Sequence, residues 1–187
     1  MKPIIRSILI SFTVLLFILS PAPCRAEVKC KTHNFNEMYN AKPDPKLVLT
    51  DSYHLGTVEE EGITYTCSGT NAKFWLYSSE IVIFLESSEA QVVTTQIKDL
   101  TQIIVTYLPA TDYYPPQVEI STTGEGGWIN LSPTNYTPTA KIYNMPSVGD
   151  YYIRIKRKGT TSTYIKAVEY CRLALPACPN CFIYKPE

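Results

Sequence analysis

Two cysteines stand close together in Cys178-Pro179-Asn180-Cys181. Thiols at this spacing can form a redox pair, hold half of a zinc site, or join separate disulfides. A redox pair of the thioredoxin type opens a helix after a strand, within a βαβ unit. This pair lies in the last ten residues of a chain whose patterning is all strand. A four-cysteine zinc site needs a second close pair, whereas Cys30, Cys67 and Cys171 are scattered. The spacing therefore reads as structural disulfides, with Cys30, Cys67, Cys171, Cys178 and Cys181 as candidates. Their job would be to tie the C-terminal tail back onto the domain.

Catalytic chemistry has little to stand on. His33 and His54 are the only histidines, both in the polar N-terminal part. Neither belongs to a His-Glu-x-x-His pair, and there is no G-x-S-x-G elbow and no phosphate-binding glycine loop. The residues predict no enzyme. Aromatic side chains offer a different chemistry. A sugar ring has an apolar C–H face and a hydroxylated rim, so it docks on an exposed Trp or Tyr beside polar groups. Asp112-Tyr113-Tyr114-Pro115-Pro116 is the best such loop, because prolines stiffen it and a carboxylate flanks the rings. Trp128 and Tyr136 are further ligand candidates, and Trp75, Tyr77 and Tyr53 also qualify by type. Trp128 reads first as a ring packed over its own turn and only second as a ligand contact.

The elements that would hold these residues begin after a leader. Lys2 and Arg6 precede the apolar run Ile8 to Leu19, and Ser20-Pro-Ala-Pro-Cys-Arg-Ala26 follows. That order is a signal peptide over 1–26, cleaved after Ala26 or, alternatively, Ala22. A run of 12 residues is shorter than the about 20 a membrane helix needs, so no retained span is expected. Removing Lys2, Arg6 and Arg25 leaves 14 basic against 17 acidic residues. This mild excess, without a basic stripe, argues against nucleic acid as a partner. Cleavage after Ala26 would also remove Cys24 and leave an odd cysteine count. Either cleavage falls after Ala22 and Cys24 is retained, or one thiol stays free.

Residues 27–60 read as an irregular strap with one strand at Lys46–Thr50. Residues 61–171 form the core, and 172–187 the tail. Strands rich in Thr, Val, Ile and Tyr are expected near Gly62–Cys67, Lys73–Leu76, Glu80–Leu85, Ala90–Thr95, Gln102–Leu108, Gln117–Thr122, Gly127–Leu131, Ala140–Tyr143, Tyr151–Lys158 and Thr163–Cys171. Met145–Asp150 reads as a breaker loop. No window sustains helical spacing. Ile81 to Leu85 is apolar on both faces and should be covered twice. Gln117–Thr122 alternates, so Gln117, Glu119 and Ser121 should face water. About ten short strands at this spacing imply an all-β antiparallel sandwich or jelly roll.

Within that pattern, Ala90–Thr95 with Ile97-Lys98-Asp99-Leu100, then Val118-Glu119-Ile120-Ser121-Thr122 followed by Gly126-Gly127-Trp128, resemble strands of galactose-binding-like jelly rolls. Tyr151-Tyr152-Ile153-Arg154-Ile155 and Tyr164 to Tyr170 resemble the closing strand pair. The likeness runs from Gly62 to Cys171. It departs in lacking the usual hairpin aspartate and any attached enzyme. It implies a carbohydrate-binding-like module of a secreted bacterial protein, with termini close enough for Cys30 to bridge toward the C-terminal cysteines. It also implies a structural calcium near the chain ends, with Glu169 as the weak candidate beside Glu37 or Asp44, although no oxygen-rich loop supports a metal. No other cofactor is expected. The partner would be a glycan or, on the alternative reading of a structural or adhesive domain, a cell-surface protein. A hydrolase accessory domain is the third reading. The place would be extracellular or periplasmic.

Overall fold

The structure, a computed structural model, describes residues 26–40, 57–108, 116–160 and 162–174, apart from the side chains of Tyr39 and Tyr136. Val28–Ala174 form one compact unit. The strands are β1 (Glu27–Asn34), β2 (Thr57–Glu60), β3 (Ile63–Ser68), β4 (Ala72–Tyr77), β5 (Glu80–Leu85) and β6 (Gln91–Thr94). They continue with β7 (Ile97–Tyr107), β8 (Gln117–Ser121), β9 (Ile129–Leu131), β10 (Asn135–Thr137), β11 (Ala140–Lys156) and β12 (Thr163–Ala174). One short helix, α1 (Phe35–Asn40), follows β1. The fold is all-β and antiparallel. Its main path runs β2-β3-β6-β11-β7-β12-β5-β4, with β1 on β12, β10 on β11, and β8 between β11 and β9.

Strand β11 joins two ladders. Its first half pairs with β7, from Ala140 opposite Thr106 to Asn144 opposite Gln102. Its second half pairs with β8 and β6, where Arg154 faces both Glu119 and Val93. The register shifts between Asn144 and Gly149. The breaker loop expected at Met145–Asp150 is thus a bulge inside one long strand. Pro146 has no N–H for a ladder, and the irregular stretch lets the strand bend from one set of partners to another. The 27–60 segment also carries regular structure where a strap was expected, namely β1, α1 and β2. Asn34 caps α1: its Oδ1 accepts from the N–H groups of Asn36 at 3.1 Å and Glu37 at 3.3 Å. Six residues are too few to show helical periodicity in sequence. The strand expected at Lys46–Thr50 lies outside the described residues.

The interior is filled by alternate strand positions, including Leu100, Ile103, Val105, Val118, Ile120, Ile153, Ile165 and Val168. Each such side chain contributes about 1.5–3 kcal/mol by leaving water. Tyr107, Tyr143 and Tyr151 are core as well. Ile81 to Leu85 is buried on both faces, as its composition predicts. The wet face expected for β8 is corrected. Glu119 and Ser121 are buried at 7% and 3% exposure. The hairpin after β8 explains Ser121, whose Oγ donates to the Gly126 carbonyl at 2.5 Å and accepts from the Thr123 and Gly124 amides. Gly124 sits at φ +79°, where a Cβ would come 2.9 Å from the Tyr152 ring. The turn therefore needs glycine there.

Candidate functional site

Period-two alternation along β4 puts Lys73, Trp75 and Tyr77 on one side of the strand. A two-residue turn at Ser78-Ser79, with φ of 47° and 71°, sets the register of β4 on β5. Lys73 then faces Phe84, Trp75 faces Val82, and Tyr77 faces Glu80. On the other flank of β5, Phe84 faces Tyr164 of β12. Four rings meet as a result. Centroids are 5.0 Å apart for Trp75 and Phe84, 5.2 Å for Phe84 and Tyr164, 4.6 Å for Tyr77 and Tyr164, and 6.4 Å for the near-parallel Trp75 and Tyr164. They roof the fully buried Val82. Phe84 is buried, Trp75 and Tyr164 are half-buried, and Tyr77 is 36% exposed.

Charge frames this surface. The Lys73 ammonium lies 5.3 Å from the Trp75 ring centre and 5.7 Å from that of Phe84, a cation–π arrangement. Lys166 pairs with Glu80 at 2.7 Å. Burial, with Tyr77 and Glu86 nearby, raises the Tyr164 phenol above its ordinary pKa, so it remains a neutral donor at physiological pH. The arrangement can hold a flat, weakly polar face over the rings and hydrogen-bond its rim.

Trp128 is half-buried, and the Arg154 guanidinium lies 4.1 Å over its ring. Arg154 Nε and Nη2 both reach Glu119 Oε2 at 2.5 Å, Gln117 Nε2 donates to Oε1 at 2.6 Å, and Lys156 stands 3.8 Å away. This network keeps the Glu119 charge solvated by protein groups. It also holds the Arg154 guanidinium over one face of Trp128. Asp112, Tyr113 and Tyr114 lie outside the described residues. Tyr136 is placed on β10 opposite Lys141, and its side chain is outside what is described. Of these ligand candidates, the structure describes the side chain of Trp128 alone. Of the wider aromatic set, Trp75 and Tyr77 share the platform, while Tyr53 lies outside the described residues. Phe84, Tyr164 and Lys73 were missed. Only Lys73-x-Trp75-x-Tyr77 was available as a local signal, since the other two rings arrive through strand pairing.

No family model matches this chain, and no curated protein matches it.

Cys30 and Cys171 form a disulfide that spans 141 positions of the chain. Cys67 is a free thiol, and burial pushes its pKa up to about 12. We expect Cys67 to resist a thiol reagent at pH 8 in the native protein and to react at once in denaturant. Rapid native labelling in a timed assay would contradict this. Cys178 and Cys181 lie outside the described residues. The grouping of Cys30, Glu169 and Cys171 spends both sulfurs on each other, and the Glu169 carboxylate accepts from Thr32 Oγ1 at 2.6 Å. Glu37 is held by Asn34 at 3.4 Å, and Asp44 and His54 lie outside the description.

His33 is 2% exposed, with Nδ1 2.6 Å from the Tyr65 hydroxyl and its ring edge-on to Tyr65 and Tyr170. Burial lowers its pKa, against smaller raising effects of Glu61 and Glu60. The unfolded chain takes up this proton near pH 6.5, and the folded chain resists it. Stability should therefore fall as pH drops below about 6.5, with this residue contributing at most about 1.4 kcal/mol per pH unit. Denaturant titrations from pH 7 to 5 should show a shallower loss in His33→Gln. Equal slopes would contradict the assignment.

Proposed function

We propose that this chain is an exported, non-catalytic binding module that takes a saccharide on the aromatic face of β4, β5 and β12. The observation that carries the reading is the contiguous set Trp75, Tyr77, Phe84 and Tyr164, framed by Lys73 and the Lys166–Glu80 pair. Rings fixed on paired strands lose little freedom on binding, which lowers the ordering cost of docking. We further read the two ladders sharing β11 as a sandwich of the jelly-roll kind, similar to galactose-binding-like modules. Export is supported by the leader pattern at 1–26 and by the Cys30–Cys171 disulfide, since such bonds persist in oxidising compartments. Among the described residues no helix is long and apolar enough to cross a membrane.

A second reading has an observation of its own. Strand β4 ends the sheet path, and Leu76 on it is 39% exposed. An extended segment of another protein could pair along that edge. The two readings separate in a retention assay on insoluble cellulose, chitin and xylan, run beside a glycan array. A saccharide module is retained on at least one matrix and released by the soluble oligosaccharide. Trp75→Ala should weaken that retention by about 1–3 kcal/mol. Absence of retention on every matrix and glycan would reject the saccharide reading in favour of the protein edge.

A further inference from the structure

We propose that the Cys30–Cys171 bond is a thiol-operated latch on the first strand: reduction through Cys30 frees residues 28–32 from β12 and leaves the rest of the fold closed. The latch shares no residue with the aromatic platform and stands without the saccharide reading.

Three observations carry it. The first is access. Cys30 is exposed, whereas Cys171 is 2% exposed. Cys30 also borders a depression of about 410 Å³, where Lys29, Lys31, Lys98 and Arg172 outnumber Glu61 and Asp99. A thiolate is the attacking species in thiol–disulfide exchange, and a basic rim favours its approach. The second is how little else holds the strand. No side chain of β1 before His33 is buried. Lys31 pairs with Glu61 at 2.8 Å, but both side chains are more than half exposed, and such pairs contribute little. Just beyond, His33, Phe35 and Met38 are buried, and Asn36 Oδ1 accepts from the Ile81 amide at 3.2 Å. An opening that starts at Cys30 therefore stops at His33. The third is the place of the strand. Cys30 beside Cys171, and Thr32 bonded to Glu169, lay β1 along the second half of β12. There β7 takes the other flank, and β5 pairs with β12 only from Thr163 to Ile165. With residues 28–32 released, residues 169–171 become a sheet edge with unpaired backbone groups.

The electrons come from a small dithiol. Its first thiolate attacks Cys30 Sγ, the S–S bond breaks, and Cys171 leaves as a thiolate that takes up a proton. Gln102 Oε1 at 3.8 Å and Glu169 Oε1 at 4.0 Å stand beside that sulfur as acceptors and favour its protonated form. The second thiolate of the dithiol then attacks the reagent sulfur of the mixed disulfide. Cys30 leaves, takes up a proton in turn, and the dithiol departs as a disulfide.

The test is hydrogen exchange of the whole protein, read by mass spectrometry with and without dithiothreitol. Reduction should speed exchange at residues 28–32, and at the β12 amides that face them, by about tenfold or more. In the same reduced sample these amides should run about tenfold or more ahead of those of β7 and of residues 35–38. Cys30→Ser combined with Cys171→Ser should show that pattern without reductant. Glutathione, a monothiol, should be found after acid quenching as a mixed disulfide on Cys30. The proposal is overturned if residues 28–32 keep their protection in the reduced protein, or if they open only together with β7. It is equally overturned if the glutathione adduct sits on Cys171.

Discussion

Replacing Cys30 and Cys171 by serine should lower the unfolding free energy by about 5 kcal/mol, the largest single effect expected in this protein. The reasoning is entropic. The bond closes a loop across 141 positions, which removes many conformations from the unfolded chain but few from the folded one. The loop runs from β1 to β12, so it encloses nearly every described strand. Cys171 is 2% exposed and flanked by Gln102, so the reduced pair has no easy route to relax. Guanidinium unfolding of the parent and the double-serine variant checks this. A difference under about 1 kcal/mol would mean that the unfolded chain already holds its ends together. The same experiment in the presence of reductant should move the parent onto the variant.

Arg154→Ala should cost about 2–3 kcal/mol, although Arg154 is half-buried at the surface. Its removal leaves the Glu119 carboxylate, 7% exposed, with only Gln117 and the more distant Lys156. It also uncovers Trp128. The remaining Lys156 and the 20% side-chain exposure of Arg154 keep the loss below that of a fully enclosed pair. The double variant Glu119→Leu with Arg154→Met should recover most of the loss, because no buried charge is left unpaired. Denaturant unfolding of the three variants decides it. A single variant no less stable than the double would contradict this view of the network.

Much of the fold is legible in the amino-acid order because it rests on period-two patterning. Glu80–Leu85 is a strand at the bounds expected, and its doubly apolar character matches burial on both sides. The Cys30–Cys171 bond matches the expectation, drawn from the jelly-roll resemblance, that Cys30 bridges toward the C-terminal cysteines. What was not legible depends on strand neighbours. Met145–Asp150 has the composition of a loop, and only the change of partners along β11 makes it a bulge. Glu119 alternates like a solvent-facing residue, yet Arg154 and Lys156 arrive from β11 to cover it. The candidate site shows the same division. Trp75 and Tyr77 were visible as aromatics on a short strand. Phe84 and Tyr164 are 80 positions apart and meet only because β5 pairs with β12. Trp128 kept its identity as a hairpin residue, but the cation over its ring came from elsewhere in the chain.

The claim that these four rings form a saccharide platform is tested most directly by Tyr77→Ala, read for affinity and melting temperature together. Tyr77 is the most exposed of the four and stands at the end of its strand, so its loss should leave the melting temperature within about 2 °C of the parent. Affinity electrophoresis against the polysaccharide that retains the parent protein should show binding weakened by about 1–3 kcal/mol, or roughly 5- to 150-fold. Unchanged affinity in a variant that melts with the parent would contradict the account.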